Sequence, residues 1–226
     1  MLLVACMCTL SRAAAENEKA SICHGTSARG SLEGGRQLPA SGSNFAAYHS
    51  LGIYLGRTYV HDKVGAVVVS AYRDLARSSP GKRFLYGETG LRAGGRIPPH
   101  KTHQNGLSVD FMVPVLDASG RSTVLPTSLA NKGGYAIEFD HEGRFDGYRI
   151  DYEAMARHLL ALKRASDAAG VGIRFVIFDK PLQSHLVARP SGRPLRNAIR
   201  FSQSKAWVRH DEHYHVDFSI PCRRLA

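Results

Sequence analysis

Apolar residues recur at helical spacing between positions 61 and 78, as Val64, Val67, Val68, Ala71, Tyr72 and Leu75. The valine run at 67–69 suits a strand, but the length and period predict a helix, which Ser78-Ser79-Pro80-Gly81 ends. A second helix is predicted over 152–169, with Asp151 as its cap, Met155, Leu159 and Leu162 on one face and Gly170 as its stop. Strict alternation marks two strands. In 107–115 the apolar positions are Leu107, Val109, Phe111, Val113 and Val115, so Ser108 and Asp110 face the other way. In 213–220 they are Tyr214, Val216, Phe218 and Ile220, opposite His213 and His215. Short strands are expected at 83–87 and 174–178, the latter ended by Asp179-Lys180-Pro181. A glycine-rich loop at 87–95, followed by Pro98-Pro99, lacks the spacing of a phosphate loop and reads as a shaped approach to the residues after it. These elements do not alternate regularly late in the chain. They predict a single α+β domain with a central antiparallel sheet flanked by helices.

The 226 residues suffice for one sizeable domain, and 43% hydrophobic with 22% charged residues excludes wholesale disorder. No apolar run reaches the ~18–20 residues of a membrane-spanning helix. Residues 1–15 read as a secretory signal peptide cut before Glu16, leaving a domain over 16–226, although a positively charged start is lacking. A lipoprotein box ending at Cys6 is the weaker alternative, because the apolar stretch before it is short. Removal of the leader takes Cys6 and Cys8 with it. The remaining pair, Cys23 and Cys222, is then expected to form a disulfide joining the chain ends, against a reading as two unrelated thiols. The net charge of +11 suits anionic wall polymers, peptide carboxylates or lipid headgroups. Nucleic acid is not an expected partner of an exported chain.

Eleven histidines fall partly into two clusters, His100-Lys-Thr-His103-Gln-Asn-Gly106-Leu-Ser-Val-Asp110 and His210-Asp-Glu-His213-Tyr-His215. On a strand, residues two apart share a face at about 6–7 Å. His213 and His215 therefore point together, and Asp110 projects from the polar side of its own strand. If the two strands lie side by side, His103, Asp110 and His215 can converge. Two imidazoles and a carboxylate with an open fourth position are a common catalytic zinc site, in which the metal lowers the pKa of a water toward ~7. His213 would then take a proton or stabilise an oxyanion. His24, His49, His61, His158 and His185 read as exposed or core-edge residues, with His158 facing solvent.

The string from Gly94 through His100, His103, Gly106 and Asp110 resembles the metal motif of the penicillin-insensitive murein endopeptidases, within the wider group of lysostaphin, D-Ala-D-Ala peptidase and hedgehog zinc proteins. The resemblance continues at Leu38-Pro39-Ala40-Ser41-Gly42, at Ile177-Phe178-Asp179-Lys180-Pro181 and at His210–His215, and it runs from about Gly35 to Cys222. It implies that His103, Asp110 and His215 bind Zn2+ and that His213 is catalytic, assisted by His210 and His100. It also implies hydrolysis of D-alanyl–meso-diaminopimelyl cross-links in peptidoglycan, in the periplasm. Asp140-His141 is the candidate for a further metal contact. Four rivals compete with this reading: a D-Ala-D-Ala carboxypeptidase or dipeptidase with a similar site, a non-catalytic zinc-bearing wall-binding module, a serine enzyme using Ser202-Gln-Ser-Lys205, and a basic nucleic-acid binder.

Overall fold

The computed structural model describes residues 19–203 and 208–225. The expected signal peptide, Cys6 and Lys205 of the Ser-x-x-Lys motif lie outside them. The described chain opens with a hairpin, β1 (Ile22–Thr26) and β2 (Arg29–Glu33), followed by β3 (Arg36–Gln37), β4 (Phe45–Ala47), α1 (Ser50–Tyr54) and β5 (Tyr59–Val60). Helix α2 (Asp62–Ser78) leads to β6 (Phe84–Tyr86), and a long loop separates that strand from β7 (Ser108–Met112). Next come β8 (Val115–Leu116), β9 (Ser122–Thr123), β10 (Arg144–Phe145) and β11 (Tyr148–Ile150), which form a small sheet of their own. The chain continues through α3 (Tyr152–Ala168), β12 (Gly172–Ile177), α4 (Lys180–Val187), α5 (Leu195–Ala198) and β13 (His213–Ser219).

The central sheet has the order β12-β13-β7-β6-β4. It is antiparallel from β12 to β6, and β4 joins its edge in parallel. The result is the single α+β domain that the pattern predicts. Both main helices fall where expected. His61 caps α2, its Nδ1 accepting from the Lys63 amide, and Asp151 caps α3 by accepting from the Ala154 amide.

The alternating stretch 107–115 is not one strand. β7 ends at Met112 and β8 pairs into the other sheet. Pro114 lies at the break, where it has no amide to donate, and Val113 instead donates to the Glu212 carbonyl. Likewise Asp179-Lys180-Pro181 does more than end a strand. Its proline sits in the first turn of α4, where a missing amide is harmless.

One expectation fails outright. His158 does not face solvent; it is fully buried. Helix α3 is covered by α2, by the sheet and by the C-terminal helical segments, so its buried arc takes in Tyr152, Ala154, Met155, Ala156, His158, Leu159, Ala161 and Leu162. Amphipathic periodicity marks the face against one partner and misses the others. The His158 ring stacks on Tyr72 from α2, packs against Phe84 and Phe111 from the sheet, and is hydrogen-bonded to the Tyr214 hydroxyl.

Cys23 and Cys222 form the expected disulfide. By closing 199 residues of chain it is worth about 2–4 kcal/mol. It pins the N-terminal hairpin beside the end of β13.

Candidate metal centre

The strands β7 and β13 pair in a register that sets Asp110 opposite His215, Val109 opposite Val216 and Phe111 opposite Tyr214. Strand alternation then sorts the side chains. Val109, Phe111, Tyr214 and Val216 join the core under the helices, while Asp110, His213, His215 and Asp217 share the other face. The loop between β6 and β7 delivers His100 and His103 to that face. His103 adopts φ +68, a left-handed conformation rare for a residue with a Cβ, and its side chain is completely buried.

Asp110 is the hub, and its two oxygens serve different partners. Oδ1 lies 2.9 Å from His215 Nδ1 and 3.3 Å from His103 Nε2. Oδ2 accepts from the Tyr135 hydroxyl at 2.9 Å and faces His213 Nε2 at 3.7 Å and His100 Nδ1 at 3.8 Å. His210 packs its ring 4.7 Å from that of His213. All six histidine and aspartate positions expected from the sequence therefore lie in one cluster. They border an open cavity of about 540 Å³, which His103 alone does not line.

A further set of groups holds these rings in place. His103 Nδ1 is 3.2 Å from the Thr89 carbonyl, which can only accept, so Nδ1 carries the proton and Nε2 presents a lone pair. That Nε2 is buried and makes no hydrogen bond. His215 Nε2 is 3.0 Å from Asp217 Oδ1, and Asp217 accepts from Ser27 and Ser108. His213 Nδ1 is 2.7 Å from Glu212, and His100 Nε2 is 2.8 Å from Glu88. Glu88 also binds Arg57 through both its oxygens and accepts from Tyr48. Tyr135 reaches Asp110 because residue 87 is glycine: a Cβ there would lie 2.5 Å from the tyrosine oxygen.

Electrostatics follows from burial set against these partners. Desolvation opposes ionisation of Asp110, but the surrounding imidazoles outweigh it and hold its pKa well below the ordinary value. Burial lowers the pKa of His103, leaving a neutral ring. Burial also opposes charge on His215, yet hydrogen bonds to Asp110 and Asp217 prevail and raise it to about 10. His210 is pushed down to about 3, first by burial and then by His213. Glu88 resists desolvation through His100 and Arg57 and sits at about 2.

The donor set suits a metal ion. His100, His103 and Asp110 offer atoms within 4.8 Å of one another and can hold one. Tetrahedral ligands about 2.0–2.1 Å from zinc lie roughly 3.3 Å apart; His103 Nε2 stands at that distance from Asp110 Oδ1, and His215 Nδ1 is closer, at a hydrogen-bond distance of 2.9 Å. Asp140-His141 takes no part: Asp140 is exposed and ties down its own turn by accepting from the Glu142 and Arg144 amides.

Sequence reasoning missed Glu88, Tyr135, Glu212 and Asp217. Asp217 was within reach, since it continues the alternation of His213 and His215. Glu88 and Tyr135 come from loops, where no period exists to find them.

No curated protein matches the chain. The family model of penicillin-insensitive murein endopeptidases matches residues 23–225, nearly the whole chain, and the chain belongs to that family.

Proposed function

We propose that this murein endopeptidase is zinc-dependent and hydrolyses D-alanyl–meso-diaminopimelyl cross-links of peptidoglycan in the periplasm. The observation that carries the reading is the convergence of His103 Nε2 and His215 Nδ1 on Asp110 Oδ1, each ring with its other nitrogen already engaged. A ligand histidine whose outer N–H is held by a carbonyl or carboxylate is the usual support of a zinc site. An orphaned, buried nitrogen such as His103 Nε2 needs a partner of this kind. His103, Asp110 and His215 would be the ligands. His100 addresses the other oxygen of Asp110 and is tied to Glu88, which favours a place beside the reaction.

When bound, zinc supplies Lewis acidity, polarising the scissile carbonyl and lowering the pKa of a water toward ~7. The protein's own groups handle the protons. His213 has its Nδ1 held by Glu212, so Nε2 is free to receive the proton of the attacking water and pass it to the departing amine as the C–N bond breaks. His210, with Nδ1 against the Val208 carbonyl, stays neutral and can accept a hydrogen bond through Nε2. The Tyr135 hydroxyl, donating to Oδ2, keeps Asp110 from turning. The disulfide supports an oxidising, extracytoplasmic location, and no described helix is long and apolar enough to cross a membrane.

The test digests isolated sacculi with purified protein, with chelator, and with chelator followed by zinc. Cross-linked muropeptide dimers should fall to monomers, stop doing so with chelator, and resume with zinc. Release of D-alanine from free pentapeptides while dimers stay intact would establish the carboxypeptidase instead. Undiminished cleavage under chelation would refute metal dependence.

A further inference from the structure

Beside the site cavity lies a second one of about 200 Å³, lined by Tyr48, Leu51, Leu55 and Leu129 among others. The two cavities share Glu88 and Lys132 as lining residues, so these form the crest between them. The crest is built with care. Asn131 Oδ1 accepts from the Ser128 and Gly134 amides, and its Nδ2 donates to the Pro126 carbonyl. Three successive left-handed residues follow, at φ +54 for Lys132, +69 for Gly133 and +99 for Gly134. Glycine is required at 133, where a Cβ would lie 2.7 Å from the Tyr48 ring. At 132 the same backbone carries a lysine, against the steric preference of any residue with a Cβ.

The charges on the crest are unequal. Glu88 is consumed by Arg57, Tyr48 and His100. Among the described residues Lys132 has no ion-pair partner, and it is exposed. Beyond it the apolar lining is open to solvent, with Leu51 40%, Leu55 54% and Leu129 68% exposed. The lining, three leucines and Tyr48 beside Lys132, with His49 and with Arg57 neutralised by Glu88, complements a peptide that bears carboxylates and small aliphatic side chains.

We infer that the second cavity receives the second peptide arm of a cross-linked substrate, with Lys132 binding a carboxylate of that arm as it passes from one cavity to the other. This rests on the endopeptidase reading. An enzyme that cuts a cross-link must hold peptide on both sides of the scissile bond, whereas trimming a free end needs one side.

The test measures binding by calorimetry to the zinc-loaded full chain, so that it does not depend on cleavage. The probes are a cross-linked peptide dimer with an N-methylated, uncleavable cross-link, the same dimer with its carboxylates amidated, and the matching single peptide. The wild type should bind the acidic dimer about tenfold more tightly than the single peptide. Lys132→Gln should remove about tenfold from the acidic dimer and little from the amidated one, and Lys132→Arg should keep the affinity. Leu55→Asp and Leu129→Asp, both at exposed positions, should abolish the advantage of the dimer while leaving single-peptide binding and zinc content unchanged. Equal binding of dimer and single peptide by the wild type overturns the inference. So does a dimer advantage that survives Lys132→Gln and both leucine variants. If the dimer binds as expected but natural dimers are not cleaved, the proposed function fails and the second-arm site stands.

Discussion

His158 and His215 lie on opposite sides of the same strand β13, and both are buried to within 2% of complete. Their surroundings push their pKa values in opposite directions. The ring of His158 is surrounded by Tyr72, Phe84, Phe111 and Tyr214, and burial alone drives its pKa down to about 3. The ring of His215 is as deep, but Asp110 and Asp217 bracket it and raise its pKa to about 10. Depth therefore does not decide the state of a histidine here. The carboxylates do, and they stand on one face of the sheet only. The helical face is a packing surface that tolerates a neutral imidazole. The opposite face assembles charged groups in a low dielectric, where each holds the others in place and a cation can be accommodated.

Asp110 is the group on which the polar face depends most. Asp110→Ala removes the group common to His103 and His215, and zinc measured by atomic absorption should be lost along with all detectable cleavage of sacculi. Retention of both would sink the ligand assignment. His213→Ala separates binding from chemistry on the same face: zinc content should match the wild type while cleavage falls about 10²–10⁴-fold, measured as dimer consumption. Asp217→Asn spares every proposed ligand but removes the anion behind His215. Zinc affinity in a competitive chelator titration should weaken about 10–100-fold. If affinity is unchanged, Asp217 does not orient the ring.

The smallest effect concerns the helical face. His158 binds its proton far less readily folded than unfolded, where its pKa is near 6.5. The unfolded chain therefore takes up the extra proton as pH falls. The contribution of His158 to stability is complete above about pH 6.5 and declines toward pH 3, at roughly 1.4 kcal/mol per pH unit. In urea unfolding, His158→Gln should be less stable than the wild type at pH 7.5, and the gap should narrow by pH 5. A gap that stays constant would show that His158 does not titrate this way.

Much of this was legible in the residues themselves. The periods of α2, α3, β7 and β13 are strong because each element buries one continuous face, and a period is all that a sequence displays of packing. The same alternation assigned Asp110, His213 and His215 to the polar side of their strands. It failed at His158 because a helix covered from several directions buries more than its apolar stripe. It failed at Val113-Pro114 because alternation does not reveal which sheet a residue joins.

Which side chains can share a face was already written in the residues, since that follows from the two-residue repeat of a strand and local sterics. The folded domain alone set β7 beside β13 in the register that places Asp110 against His215. It also decided that Tyr135, Glu88 and Thr89 reach the site from loops, and that Lys132 crowns a second cavity. Those facts depend on contacts between residues far apart in the chain, which are set by the packing of the whole domain and leave no local periodic trace.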